Sequence, residues 1–374
     1  AMPDVRFVAQ FADGPVKMAL ADLSPLRALL PIASGTLRSG RLMLVDDEGK
    51  TRARALLSEL RPGEGRKVIL MKTEHLRGYD RALRDLIARI RDCGGTSLAA
   101  GNLYRMIDPA CTAYSPKPKI EVGREETAFD AASDLIDGHL PVARANEAGV
   151  IADLDTEFLH DYRIALRKIR SVLSLFKGVY DPEQTAEIKA RFSSLMAPTG
   201  QLRDLDVYLL DQQRFFDLVP DTMHDGLEAM FVLLGDRRAE AQATLAEHFR
   251  SKAYDKEINS LTKLFSKRKK LMPGPNASRT SHDFACELIW KRYRKIGRIA
   301  ADVTITTPDP EVHALRIECK KLRYLMEFFG PVFPKDSFRS ILKPLKNLQD
   351  ALGFFNDMAV QQAGLLSFSD TLGD

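Results

Sequence analysis

The chain has 374 residues, of which 45% are hydrophobic and 28% are charged, so it is long enough for two or three soluble domains. Its 55 basic residues exceed its 51 acidic residues slightly, which gives a formal net charge of +4. A bias this small does not by itself indicate a nucleic-acid-binding protein. An argument for an anionic partner must therefore rest on where the basic residues lie.

The cysteine spacing is not typical of a zinc site or a redox pair; the four cysteines are Cys93, Cys111, Cys286 and Cys319. A chain of this length does not need a disulfide framework, so we expect a reducing, cytoplasmic compartment. The N-terminal residues lack a signal-peptide pattern, and no apolar run approaches the ~18 residues of a membrane span. We therefore expect no membrane partner.

The first hundred or so residues favour β-structure. Four short runs predict strands, at Val5–Phe11, Arg41–Val45, Thr51–Leu57 and Lys67–Met71. The turn residues Asp46–Gly49 predict a hairpin between the second and third strands. A helix is predicted at Tyr79–Arg91, before a glycine pair. We interpret residues 1–115 as a small α+β module, and a proline-containing loop follows it.

From about residue 121 onward, helical periodicity dominates and predicts a mainly α fold. The predicted helices lie at about 124–150, 155–179, 183–216, 221–266, 278–301, 309–329 and 336–366. A basic segment with two prolines, residues 267–276, separates the first four helices from the last three.

The strongest signal in the sequence is an internal repeat with a spacing of 153 residues. The two copies share a leading histidine and a later aromatic residue, which pair His160 with His313 and Phe176 with Phe329. Twelve of 48 aligned positions are identical, whereas ordinary residue frequencies give roughly three. The repeat predicts two antiparallel helical bundles, at about 121–272 and 277–374. The second is short: either it lacks a counterpart of helix 221–266, or another element or chain fills that place.

Each copy carries a row of basic residues on one helix face, within an arc of about 80°. The first row is His160, Arg163, Arg167 and Arg170, and the second row is His313, Arg316, Lys320 and Arg323. Apolar residues occupy the opposite, core-facing side. Like charges at helical spacing repel by about a few tenths of a kcal/mol, so the rows suit an external anion, and arginine suits phosphate. The alternative is a solvated basic face, or one paired with acids of a neighbouring helix.

Further basic residues near the two rows are candidates for the same anion-binding surface. They are Lys168, Arg203, Lys291, Arg292, Arg294, Lys295, Arg298, Lys321, Lys343 and Lys346. Asp204 and its counterpart Asp357 are expected either to orient the basic side chains or to form a buried ion pair.

The two basic helices resemble the CHAD family, which is named for conserved histidines in an α-helical domain. The resemblance rests on HDYRIALRKIRSVLSLF and HALRIECKKLRYLMEFF, each followed by a glycine-containing segment with an aspartate, and it covers about residues 121–374. It implies two helical bundles related by a pseudo-twofold axis, and binding of inorganic polyphosphate, often at polyphosphate granules. It assigns binding to both rows together with Lys168 and Lys321. A homo-oligomer is left open.

Residues 1–115 resemble, more weakly, the CYTH or triphosphate-tunnel domain. The resemblance rests on the hairpin at Asp46–Gly49 and on the stretch His75–Tyr79. The Glu-x-Glu-x-Lys signature of that family is absent from Val5–Phe11. We therefore interpret the module as a degenerate, non-catalytic remnant.

No catalytic motif accompanies the basic helices. We find no phosphate-binding Walker loop, no HExxH and no paired carboxylates beside the histidines. His160-Asp161 resembles the dyad of HD phosphohydrolases, but Ala314 replaces the aspartate in the second copy. Together with the CHAD resemblance, which implies polyphosphate as the ligand, the sequence thus predicts a binding protein without cofactor, metal or catalytic residues. A metal-dependent phosphohydrolase is the first alternative. Binding to nucleic-acid backbones is the second, with few aromatic residues present for base stacking.

Overall fold

The computed structural model describes residues 6–31, 34–63, 67–98, 103, 106, 114–304, 306–336 and 338–353. These residues belong to two compact units, 1–114 and 115–374. Asp357 and the rest of the predicted helix beyond residue 353 lie outside the described residues, as does Cys111.

The N-terminal unit contains an antiparallel sheet in the order β1-β2-β3. Its strands are β1 (Gly35–Val45), β2 (Thr51–Pro62) and β3 (Val68–Glu74). The hairpin predicted after β1 is present, and the Asp46 side chain accepts hydrogen bonds from the backbone of Glu48 and Lys50. The unit also contains the helices α1 (Pro15–Ala19) and α2 (Asp80–Asp92).

The strand predicted at Val5–Phe11 is wrong, because residues Val8–Gln10 form a 3-10 turn. The Gln10 side chain accepts hydrogen bonds from the backbone N–H groups of Arg6 and Phe7, at 2.9 and 3.0 Å. These local bonds compete with strand pairing for the same backbone donors.

The second unit is helical, as the periodicity predicts. Its helices are α3 (Ala128–Ile151), α4 (Thr156–Leu175), α5 (Pro182–Met196), α6 (Gly200–Leu210), α7 (Gln212–Leu218), α8 (His224–Arg250), α9 (Lys252–Lys267), α10 (Ser281–Ala301) and α11 (Asp309–Phe329). Residues 335–336 and 338–353 are also helical, and we refer to 338–353 as α12.

Two long helices predicted from periodicity are interrupted in the structure. The helix predicted at 183–216 is divided into α5, α6 and α7, and a 3-10 turn at Ala197–Thr199 separates the first two. Pro198 lies in that turn, where it lacks an N–H for the helical ladder. The helix predicted at 221–266 breaks at Ser251, whose hydroxyl accepts a hydrogen bond from the Tyr254 backbone and so caps α9.

The two repeats are related by a pseudo-twofold axis, as the resemblance implied. α3 and α4 begin 153 residues before α10 and α11. Thr127 and Thr280, which cap α3 and α10, pair with each other in an antiparallel bridge. Reciprocal backbone hydrogen bonds flank that bridge: Ala128 N to Arg279 O (2.8 Å) with Ser281 N to Glu126 O (2.7 Å), and Phe129 N to Ala277 O (3.1 Å) with His282 N to Arg124 O (3.2 Å).

The described residues of the helical unit form a larger and a smaller hydrophobic cluster. The larger cluster contains most of the first repeat and extends across the axis to the end of α11. Helix α9 contributes Ile258, Leu261 and Phe265 to it, and each of these side chains is fully buried. The smaller cluster lies in the second repeat and joins α10, α11 and α12 through Ile296, Leu315, Cys319, Leu322, Met326 and Leu345.

Candidate anion-binding site

The first row lies on α4 and the second row on α11, and in both helices the predicted apolar stripe is buried. Asp155 caps α4 by accepting hydrogen bonds from the backbone of Glu157 and Phe158. Tyr162, Leu166 and Ile169 are fully buried in the core. The opposite face of α4 therefore points away from the core, and its four basic side chains are half-buried.

Three arginines of the first repeat lie close enough to interact electrostatically. Arg163 and Arg167 belong to α4, and Arg203 belongs to α6. The Nη1 atom of Arg163 donates a hydrogen bond of 2.6 Å to the hydroxyl of the fully buried Thr199. Partial burial lowers the pKa of Arg163, and repulsion from Arg167 and Arg203 lowers it further, whereas Asp204 opposes the shift. We call Arg163, Arg167 and Arg203 the arginine cluster.

The arginine cluster contains N–H groups that the described residues do not satisfy. The Nε atom of Arg163 and the Nη1 atom of Arg203 are buried and have no hydrogen-bond partner among the described residues. A buried donor without an acceptor costs about 1–3 kcal/mol. Phosphate oxygens are acceptors that arginine binds well, so an anion placed here would satisfy both groups.

Asp204 is exposed and attracts Arg163, which leaves its predicted orienting role open. The buried ion pair of this segment belongs to Asp206 instead. Asp206 lies 2.9 Å from the Nε atom of Arg238, which also binds Asp153. The sequence alone did not single out this pair, because its two residues are 32 positions apart.

The helices α4 and α11, which carry the two rows, contact each other near their C-terminal ends. Lys168 of the first repeat donates a hydrogen bond to Glu327 of the second. Its ammonium group lies 4.2 Å from the ring centroid of Tyr324. Arg323, the last member of the second row, lies 3.4 Å from the same Glu327. Burial lowers the pKa of Lys168, with a smaller contribution from Arg323, and Glu327 opposes the shift.

A second glutamate, Glu318, forms ion pairs with three of the predicted binding residues. The Lys321 ammonium lies 2.9 Å and the Lys295 ammonium 3.2 Å from Glu318 Oε1, and Arg292 binds the other carboxylate oxygen. Burial opposes ionisation of Glu318, but the three hydrogen bonds outweigh it and lower its pKa to about 2. The counterpart of Glu318 in the first repeat is Ala165, so this cluster is specific to the second repeat.

The remaining predicted residues differ in exposure. His313 is exposed, and Arg316 and Lys320 are half-buried on α11. The other basic candidates lie on the exposed surfaces of α10 and α12; they are Lys291, Arg294, Arg298, Lys343 and Lys346.

Within the part of the chain that the structure describes, no three or more His, Cys, Asp or Glu side chains form a group that could hold a metal ion. None of the described helices is long and apolar enough to cross a membrane.

Comparison with known proteins relates the helical unit to one protein family. The CHAD domain family matches residues 134–366. The crystal structure of the CHAD domain from the plant Ricinus communis is similar in fold, with 23% sequence identity and a TM-score of 0.58. The match covers 70% of this chain and 85% of the plant chain. PptA from Streptomyces chartreusis is 14% identical with a TM-score of 0.43, over 59% of this chain and 81% of its own. No curated protein sequence shows significant similarity.

Proposed function

Since this chain belongs to the CHAD family, we propose that it binds inorganic polyphosphate, or another phosphate-rich polyanion, along the basic rows of α4 and α11 without cleaving it. We further propose that it acts in the cytoplasm at polyphosphate granules. The family supplies the class of ligand, and the geometry of the rows supports where the ligand would lie.

The observation that carries the proposal is the arginine cluster. Three guanidinium groups repel one another there, and Arg163 and Arg203 each retain a buried N–H group without a hydrogen-bond partner among the described residues. A phosphate chain would neutralise the repulsion and accept those hydrogen bonds at the same time.

The contact between the two basic helices supports a polymeric ligand. Lys168 and Arg323, from different repeats, meet at Glu327. A long phosphate chain that bound the first row could therefore continue along the second. Binding both rows with one chain raises the effective affinity above that of either row alone. We propose that the two rows line one shared basic groove.

The two glutamates divide the predicted binding residues into two classes. Glu318 already pairs with Arg292, Lys295 and Lys321, and Glu327 already pairs with Lys168 and Arg323. A polyanion would have to compete with a carboxylate for these five. We therefore expect the arginine cluster, and not these residues, to contribute most to binding.

Charge reversal tests the proposal. We expect Arg167→Glu combined with Arg316→Glu to weaken binding of long polyphosphate by at least about tenfold, a loss of about 1.4 kcal/mol or more. The matched control is Lys252→Glu combined with Lys256→Glu, which changes the net charge equally on exposed positions of α9. Far-ultraviolet circular dichroism checks that each variant is folded. Equal binding by both double variants and the unmodified protein would overturn the proposal.

Two further measurements address the alternatives. Release of phosphate in the presence of Mg²⁺ or Mn²⁺ would show a metal-dependent phosphohydrolase, and we expect none. Competition of polyphosphate against duplex DNA tests the second alternative, nucleic-acid binding, and we expect polyphosphate to be preferred.

The affinity for polyphosphate should fall linearly with salt on a double-logarithmic plot, because each neutralised phosphate releases a counterion.

The triphosphate-tunnel resemblance of residues 1–115 remains a prediction. The antiparallel sheet β1-β2-β3 is compatible with a reduced tunnel wall. We propose that this unit has no triphosphatase activity, and the same phosphate-release assay with inorganic triphosphate tests it.

A further inference from the structure

The second repeat has an open apolar groove away from the basic rows. The groove lies between α10, α11 and α12 and has a volume of about 790 Å³. Its lining residues include Cys286, Trp290, Tyr293, Ile341, Leu345 and Leu348. Trp290 is 60% exposed and stacks on the similarly exposed Tyr293, with ring centroids 5.8 Å apart. Contiguous apolar surface of this kind marks an interaction site more often than an ordinary solvated surface.

The internal repeat shows what kind of element fits the groove. Ile341 is 56% exposed, but its counterpart in the first repeat, Ile188, is 1% exposed. Tyr293 is also 56% exposed, whereas its counterpart Leu140 is fully buried. The equivalent surface of the first repeat is therefore covered, although the two surfaces have the same origin in the repeat.

Helix α9 covers that surface in the first repeat. The ring of Phe265 lies 6.2 Å from Tyr180 and 6.3 Å from Phe192, and these two are the counterparts of Phe333 and Leu345 in the groove. The buried side of α9 follows the spacing i, i+4, i+7 and i+11, with Tyr254, Ile258, Leu261 and Phe265. An amphipathic helix with this spacing therefore fits the groove in shape.

Charge adds a second requirement for the occupant. Lys291, Arg294 and Arg298 are exposed on α10 beside Trp290 and Tyr293, and the nearby Glu287 is paired with Arg279 at 2.7 Å. The border of the groove is therefore basic. Helix α9 shows the matching pattern, because Glu257 beside its apolar stripe binds Arg191 at 2.7 Å.

We propose that the groove between α10, α11 and α12 is a docking site for an amphipathic α-helix of a partner protein, with an apolar stripe spaced as in α9 and acidic residues beside the stripe. The exposed aromatic pair would supply the central contacts, since buried Trp and Tyr contribute most at such interfaces. Lys291, Arg294 and Arg298 then border the docked helix, which gives them a role apart from polyphosphate.

Trp290 lies in the groove and is the only tryptophan of the chain. Its fluorescence therefore reports on binding in the groove. The probe is a synthetic peptide with the sequence of residues 251–267, which contains the apolar stripe, Asp255 and Glu257 but no tryptophan. On titration into the full chain, we expect saturable movement of the Trp290 emission to shorter wavelength. Alkylation of Cys286, which is exposed in the groove, should slow, while that of the exposed Cys93 in the other unit should not.

Variants locate the binding. Ile341→Asp places a charge in the groove at a position that is already exposed, so folding should be preserved while peptide affinity falls at least about tenfold. Val232→Asp, at a 67% exposed position of α8, is the matched control and should bind normally. A peptide with Ile258→Ser, Leu261→Ser and Phe265→Ser should not bind, and one with Asp255→Lys and Glu257→Lys should bind more weakly.

Three results would overturn the proposal. The first is an unchanged Trp290 emission at saturating peptide. The second is an equal response to the peptide that lacks the apolar stripe, since binding would then not use the groove. The third is concentration-dependent association of the chain that Ile341→Asp abolishes, which would show that a second copy occupies the groove.

Discussion

Phe176 and Phe329 occupy the same position in the two repeats and stack on each other, with ring centroids 4.8 Å apart and ring planes inclined by 7°. The two rings therefore lie at the pseudo-twofold axis, each packing against its own counterpart. Both are almost fully buried, and they join the two repeats within the larger hydrophobic cluster, at the C-terminal ends of the two basic helices.

The stacked pair predicts a coupled loss of stability. Phe176→Ala and Phe329→Ala should each lower the free energy of unfolding by about 3–5 kcal/mol, as buried Phe truncations do. The double variant should lose less than the sum of the two, because either single change already removes the contact between the rings. Urea denaturation measures this, and Val232→Ala on the surface should change stability by less than about 0.5 kcal/mol. Strict additivity would contradict a direct coupling.

The carboxylate of Glu318 should make the stability of the fold depend on pH in the acidic range. Its pKa falls from an ordinary value of 4.5 to about 2 in the folded protein. A lowered carboxyl pKa stabilises the fold above pH 4.5, and that contribution is lost as the pH falls from about 4.5 to about 2. Glu318→Gln should lower the free energy of unfolding at pH 7 by about 1–3 kcal/mol. The difference from the unmodified protein should shrink across that acidic window. A difference independent of pH would show that the carboxylate charge is not what stabilises the cluster.

Removing the negative charge of Glu327 should increase the affinity for polyphosphate. Glu327→Gln leaves Lys168 and Arg323 available to the ligand, so polyphosphate should bind more tightly. The slope of log affinity against log salt should become steeper, because up to about two more phosphates would be neutralised. Glu287→Gln, at the exposed pair with Arg279, removes the same charge away from both rows. Equal effects of the two substitutions would show a response to net charge alone.

Replacing Arg203 should change the stability of the protein and its affinity for polyphosphate in opposite directions. Arg203→Met removes a buried donor that lacks a hydrogen-bond partner among the described residues and relieves repulsion within the arginine cluster. The free energy of unfolding without ligand should therefore rise, by about 1 kcal/mol, while the affinity for polyphosphate falls. The exposed Arg250 on α8 is the control, and Arg250→Met should change neither quantity appreciably. A loss of both stability and binding would indicate a purely structural role for Arg203.

The repeat made much of the helical fold predictable. Because identical residues recur with one constant spacing, the sequence predicted equivalent elements in both halves, and the reciprocal hydrogen bonds around Thr127 and Thr280 follow from that equivalence. Helix ends were harder to predict. The breaks at Pro198 and Ser251 interrupt otherwise continuous apolar periods, so the period alone gave helices that were too long.

The candidate site was predictable in its rows but not in its ion pairs. Helical spacing placed the basic side chains on one face of each helix, which the buried stripe of α4 confirms. Glu327 meets Lys168 from a position 159 residues away, and no local pattern predicts such a contact. Glu318 had a local signal, since it stands three residues before Lys321 on the same helix. Thr199 had none, because its contact with Arg163 depends on the turn before α6.

The presence of Glu318 in one repeat and Ala165 at the matching position of the other has a consequence for any chain-like ligand. In the second repeat Glu318 pairs with three basic side chains, whereas Ala165 of the first repeat offers no carboxylate at the matching position. The two basic helices are therefore electrostatically unequal at this position. If a phosphate polymer lies across both helices, as we propose, it would be held with unequal strength at its two ends, so it would dissociate from one side first.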